Sequence, residues 1–218
     1  KTAIQLVGNM PFINVAWLDF LGLEMPTTVD EFEAVLVAFR DNADKLKAQF
    51  NIDGDIIPMS CIMNDGQQDP YILINGFGEG YGDPDTWKHL AVTDEGKVVS
   101  VATSEGFKEG TAWLHSLYEQ GLIDVEAFTQ EWSTYVAKGK SGRYGVCFSW
   151  DVGNIATLEG WEPLPMLKAD TKCITPATAS YTSGYQRGRC VVTAMAKNPA
   201  LVCSWLDQMY APLQSPQN

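Results

Sequence analysis

The sequence predicts an α/β domain, and three observations carry that prediction. Amphipathic helical patterns recur along the chain, short β-rich runs lie between them, and turn residues separate the two kinds of segment. Apolar residues make up 45% of the 218 positions and charged residues 19%, enough to build a core and too little charge for disorder. Helices alternating with short strands indicate an α/β domain.

The first helix signal is Thr28-Val29-Asp30-Glu31. It reads as a capping box, in which Thr28 and Glu31 satisfy each other's orphan amides, and Phe32, Val35, Leu36 and Phe39 follow at helical spacing. A strand is predicted over Ile56 to Met59. Another runs from Lys97 to Ala102 after the hairpin turn Asp94-Glu95-Gly96-Lys97. A helix from Glu105 to Gln120 follows, with Phe107, Thr111, Leu114, Leu117 and Tyr118 as its apolar face and Gly121 as its stop. A short helix is expected from Asp124 to Phe128, and one through Trp132, Tyr135 and Val136 to Gly139. Strands are then predicted at Tyr144–Phe148 and Cys190–Ala194, with a Thr-, Pro- and Ser-rich connection over 163–185. The last helix has Asn198 as cap, Pro199 in its first turn and a stripe of Leu201, Val202, Trp205, Leu206 and Met209.

Charge and composition exclude several functions. The formal net charge is −12, with Lys and Arg scattered singly, so the basic stripe that nucleic acid requires is missing. No apolar run approaches the roughly 20 residues of a membrane span. No signal peptide or lipid-attachment site stands at the start. The cysteines, Cys61, Cys147, Cys173, Cys190 and Cys203, form no CxxC pair and read as packed small hydrophobes. Their odd count leaves the redox compartment open.

Motifs with possible chemistry are few. The cluster Gly76-Phe77-Gly78-Glu79-Gly80-Tyr81-Gly82 is followed by Asp83-Pro84-Asp85 rather than by a helix, so it reads as a loop and not as a phosphate cradle. Asn51-Ile52-Asp53-Gly54-Asp55 offers oxygens at alternate positions, as a calcium loop does, yet Ile62 stands where the twelfth-position Glu belongs. It reads as a polar turn before the strand at Ile56. His89 and His115 lie near no nucleophile, and no catalytic constellation, metal set or cofactor motif emerges. Aromatic residues remain. Trp150 ends a predicted strand at Ser149-Trp150-Asp151, where ligands gather in open α/β sheets, and an indole there offers a flat face to a sugar ring. Asp69-Pro70-Tyr71 pairs an acid with an aromatic in the same way.

The segment from Ala16-Trp17-Leu18-Asp19 to Asp30-Glu31-Phe32 resembles the "WLDKLGL…P.T.DEF" stretch of bacterial ABC-transporter extracellular solute-binding proteins of family 1. Later blocks follow in the same order. These are Phe107-Lys108-Glu109-Gly110, Leu117 to Asp124, Thr129-Gln130, Ala137 to Gly142, and Lys197-Asn198-Pro199 to Tyr210. The resemblance implies a periplasmic-binding-protein-like (type II) fold, two α/β lobes joined by hinge strands, each lobe a mixed sheet flanked by helices. Residues 15–185 would form the second lobe, 1–14 the hinge or first-lobe margin, and 186–218 a hinge strand with a returning helix.

It further implies a binding protein and not an enzyme: the extracellular receptor of an ABC importer, which captures a carbohydrate, in particular an oligosaccharide, and delivers it to permease subunits. A peptide or other polar solute, or a glycoside-active domain, are the competing readings. The cell surface, through an N-terminal lipid anchor absent from this chain, or the periplasm is the implied location. The maltodextrin-binding branch of the family uses a Glu-Pro-Tyr segment and a Trp after a lobe-two strand to hold sugar, and Asp69-Pro70-Tyr71 and Trp150 are similar in position; Asp151 and Arg187 complete the expected ligand set. Relatives also carry a loop similar to a calcium site, of which this sequence keeps Asp55-Ile56-Ile57-Pro58, with Ile56 where the acid stands.

Overall fold

The structure, a computed structural model, describes residues 10–63, 68–77, 90–92, 97–157, 159–169 and 191–208. The chain divides into two units, Lys1–Ser180 and Tyr181–Asn218.

The first unit is built on a four-stranded sheet. Strand β1 (Met10–Asn14) leads directly into helix α1 (Val15–Leu21), where Asn14 caps by accepting the Trp17 amide and Gly22 ends the helix at φ 68°. Helix α2 (Val29–Asp41) begins at the expected capping box. The Glu31 carboxylate accepts the amides of Thr27 and Thr28, and those bonds hold its pKa below the usual carboxylate range. Helix α3 (Ala43–Phe50) closes on Asn51 in the left-handed region. Strand β2 (Ile57–Met59) follows, and a 3-10 stretch runs over Tyr71–Phe77.

Strands β3 (Leu90–Val92) and β4 (Val98–Ser100) form a separate antiparallel pair, and the turn predicted between them lies outside the described residues. Helix α4 (Glu105–Glu119), helix α5 (Trp132–Lys140), strand β5 (Tyr144–Ser149) and strand β6 (Trp161–Pro163) complete the unit.

The sheet order is β2-β5-β1-β6. β2 runs parallel to β5, whereas β1 is antiparallel to both its neighbours, so the sheet is mixed as predicted. Alternate residues of β1 and β5 divide between two apolar clusters. Ile13, Val146 and Phe148 join Phe32, Leu36 and Phe39 of α2 and Leu114 and Leu117 of α4. Phe12 and Cys147 join Tyr135 of α5 and Ile155. Helices therefore cover both faces of the sheet.

Several expectations are corrected. α4 does not bury Thr111 or Tyr118, both of which are exposed; its buried line is Gly106, Gly110, Leu114 and Leu117. The reason is close packing on the 3-10 stretch: a Cβ at Gly110 would stand 2.8 Å from Ile74 Cγ2 and 3.1 Å from a Phe77 ring carbon. The segment 124–128 is a series of turns, not a helix. Its first amide is committed to the sheet edge, with Asp124 N donating to Met59 O at 2.8 Å, and the Asp124 carboxylate then accepts the Glu126 amide. Strands β1, β3 and β6 and helices α1 and α3 are not among the elements expected from the sequence.

In the second unit, helix α6 (Pro199–Gln208) starts as expected, with Asn198 Oδ1 accepting the Leu201 amide. Met209 of its predicted stripe lies outside the described residues. Of the strand predicted at Cys190–Ala194, residues 191–194 are described and carry no strand. Cys190, Cys173, His89, Gly78 to Gly82 and most of the 163–185 connection lie outside the described residues.

Candidate functional site

The parallel strands β2 and β5 end side by side, and the segments leaving them carry the candidate residues. The ladder continues one step past β2, where Ser60 N donates to Val146 O at 3.0 Å. In a regular parallel ladder Phe148 N would next reach Ser60 O. The phenol of Tyr135 occupies that rung instead. It accepts Phe148 N at 2.8 Å and stands 3.1 Å from Phe148 O and 3.4 Å from Ser60 O, so the two strands part at their carboxyl ends around a tyrosine hydroxyl. Burial raises the Tyr135 pKa well above that of a free phenol and keeps the proton in place as a donor.

Trp150 leaves the end of β5 with 59% of its surface exposed. Asp151 follows as the cap of a 3-10 turn, its Oδ1 accepting the Gly153 amide at 2.8 Å. On the other strand, Ile62 N donates to Gln68 O at 2.9 Å, which returns the chain to the end of β2 just before Asp69. Asp69 is buried, and its Oδ1 accepts the Tyr71 amide at 3.0 Å. The Tyr71 ring is half-buried and stacks on Phe107 of α4, with centroids 6.2 Å apart and planes 21° from parallel. Asp69 thus fixes the start of the 3-10 stretch that presents Tyr71. Arg187 lies outside the described residues.

One residue at this edge escaped the sequence reading as a site candidate. Trp132 opens α5, is 41% exposed, and its ring lies 6.1 Å from that of Tyr135, the residue that bonds the end of β5. The signal was available in principle, since a tryptophan in the first turn of a helix that precedes a parallel strand falls at that strand's carboxyl edge.

Beneath the edge lies a buried polar network. Ser60 Oγ donates to Asp124 Oδ2 at 2.7 Å, and Lys138 Nζ bonds Asp124 Oδ2 at 2.8 Å and Gln130 Oε1 at 3.1 Å. The Gln130 amide then donates to Cys61 O at 2.7 Å and Ser60 Oγ at 3.2 Å. Each buried polar group here has a partner, so the network reads as a clamp on the segments leaving β2 rather than as reacting chemistry.

A mixed sheet covered on both faces by helices, with aromatics at the carboxyl ends of its parallel strands, has the periplasmic-binding-protein-like architecture of solute receptors. The homologues of this chain are ABC-transporter substrate-binding proteins. It is 40% identical over 219 residues to the fructooligosaccharide ABC transporter substrate-binding protein FusA of Streptococcus pneumoniae, matching 100% of this chain and 39% of FusA. The solved structure of FusA in complex with kestose superposes with a TM-score of 0.74 at 38% identity, over 97% of this chain and 41% of that one. An extracellular solute-binding protein from Bifidobacterium longum subsp. infantis follows at 30% identity and TM-score 0.65, over 80% of this chain and 37% of that one. Lipoprotein LipO of Bacillus subtilis is 26% identical over 141 residues, 63% of this chain and 26% of LipO. No protein-family model matches the chain. The chain spans about two fifths of the length of FusA.

Proposed function

We propose that this chain forms part of the substrate-binding component of an ABC importer, which captures an extracellular oligosaccharide between two lobes and passes it to the permease. The observation that carries the proposal is the exposed Trp150 at the parting of β2 and β5, in a chain 40% identical to a fructooligosaccharide receptor. Tyr71, which stacks on Phe107, and Trp132, which packs beside Tyr135, are the further aromatics proposed for the ligand, and the Asp151 carboxylate is the proposed acceptor for sugar hydroxyls. Asp69 acts through Tyr71, whose backbone it holds. Arg187 stays in the proposed set on the sequence reading alone. On this reading residues 15–185 belong to the second lobe, and the protein works at the cell surface or in the periplasm.

Calorimetric titration of the intact protein with kestose, longer fructo-oligosaccharides and unrelated sugars tests the reading. Saturable heat with an oligosaccharide supports it. Binding only to peptides, or cleavage products after incubation with labelled oligosaccharides, would sink it.

A further inference from the structure

The loop between α3 and β2 departs from a cation-binding loop in a specific way. FusA has been studied as an EF-hand mutant in complex with fructo-nystose, so a cation loop belongs to the fold's known relatives. An EF-hand needs convergent oxygen ligands and a bidentate acid at its twelfth position. Counted from Asn51, that position is Ile62, which is 9% exposed and packed in an apolar cluster. Ile56, directly after Asp55, packs against the main core and offers the loop no oxygen from its side chain. Among the described residues no three His, Cys, Asp or Glu side chains converge as a cation cage. The donor set does not fit calcium.

Two of the chain's own cations hold the loop instead. Lys47 Nζ bonds Asp55 Oδ1 at 3.1 Å from the last turn of α3. Arg143 Nε donates to Asp55 O at 2.8 Å, and its side chain lies over Gly54, where an added Cβ would stand 3.1 Å from Nε. Arg143 is joined to the loop a second time, since Ile57 N donates to its carbonyl at 2.8 Å. Gly54 at φ 104° and Asn51 at φ 52° supply the two left-handed residues that let the chain turn back beneath these cations. We infer that Lys47 and Arg143 close the 51–57 loop in place of a divalent ion, and that the loop folds independently of calcium. The inference does not depend on which solute is bound.

Thermal unfolding with EDTA and with millimolar calcium chloride tests it. The melting temperature is expected to agree within about 1 °C, because an ion that binds neither state shifts nothing. A saturable rise of several degrees on adding calcium would overturn the inference. A second variant tests the ammonium directly. Lys47→Gln is expected to lower the melting temperature by about 1–3 °C at low ionic strength, with the difference shrinking in high salt. An unchanged melting temperature at low ionic strength would show that Lys47 does not close the loop.

Discussion

The hydroxyl of Tyr135 bonds both backbone groups of Phe148, accepting its N–H at 2.8 Å and donating to its carbonyl at 3.1 Å. In an extended strand these two groups point the same way, toward the neighbour that β2 no longer supplies. A side chain from α5 thereby replaces a missing rung of the sheet and sets where β5 ends and Trp150 begins. Tyr144 reinforces the arrangement by donating from its own hydroxyl to Tyr135 O at 2.9 Å.

Tyr135→Phe keeps the ring packing and removes the oxygen. Phe148 N and O are then left buried without that partner, so urea unfolding should show a loss of about 1–3 kcal/mol. The loss should exceed that from Tyr118→Phe, whose ring is on the surface and meets Phe128 edge-on.

Lys138 is the cation of the network under the site. Its side chain is 10% exposed and bonds Asp124, which is 3% exposed, as well as Gln130 and, at 2.6 Å, Glu126. Lys138→Met leaves a buried carboxylate with Ser60 as its remaining side-chain donor. Chemical denaturation should report a loss of about 3 kcal/mol, larger than any exposed ion pair is worth. Lys108→Met, which breaks an exposed pair with Glu105, is the matched comparison and should be near neutral.

Cys61 and Cys147 are buried free thiols, whereas Cys203 is exposed. Burial pushes the thiol pKa far up for both buried residues, and Asp124 and Asp69 add to it at Cys61. Peptide mapping after alkylation at pH 8 should label Cys203 in the native protein, and Cys61 and Cys147 only after unfolding. The unfolded chain releases these two protons near pH 8.5, while the folded chain holds them. Stability from these groups is therefore full below about pH 8.5 and declines as pH rises beyond it.

The helices with local signatures were legible in sequence: the Thr28 capping box and the Asn198 cap need only neighbouring residues to act. β1 was not legible because Pro11 sits inside it and argues against a strand. Its place in the sheet comes from β5 and β6, which are distant in sequence. The buried line of α4 was displaced because Gly110 admits Ile74 and Phe77, partners that periodicity within the helix does not reveal. Trp150 at a strand end was readable from the end of an apolar run. The splaying of β2 and β5 by Tyr135 was not, since it depends on a hydroxyl meeting two strands across the chain.

The reading of this edge as an oligosaccharide platform is tested most directly by calorimetry on Trp150→Ala in the intact protein. Loss of one stacked indole should weaken oligosaccharide binding by at least about tenfold, with the unfolding transition unchanged. Unaltered affinity in the variant, or no saturable oligosaccharide binding by the parent protein, would contradict it.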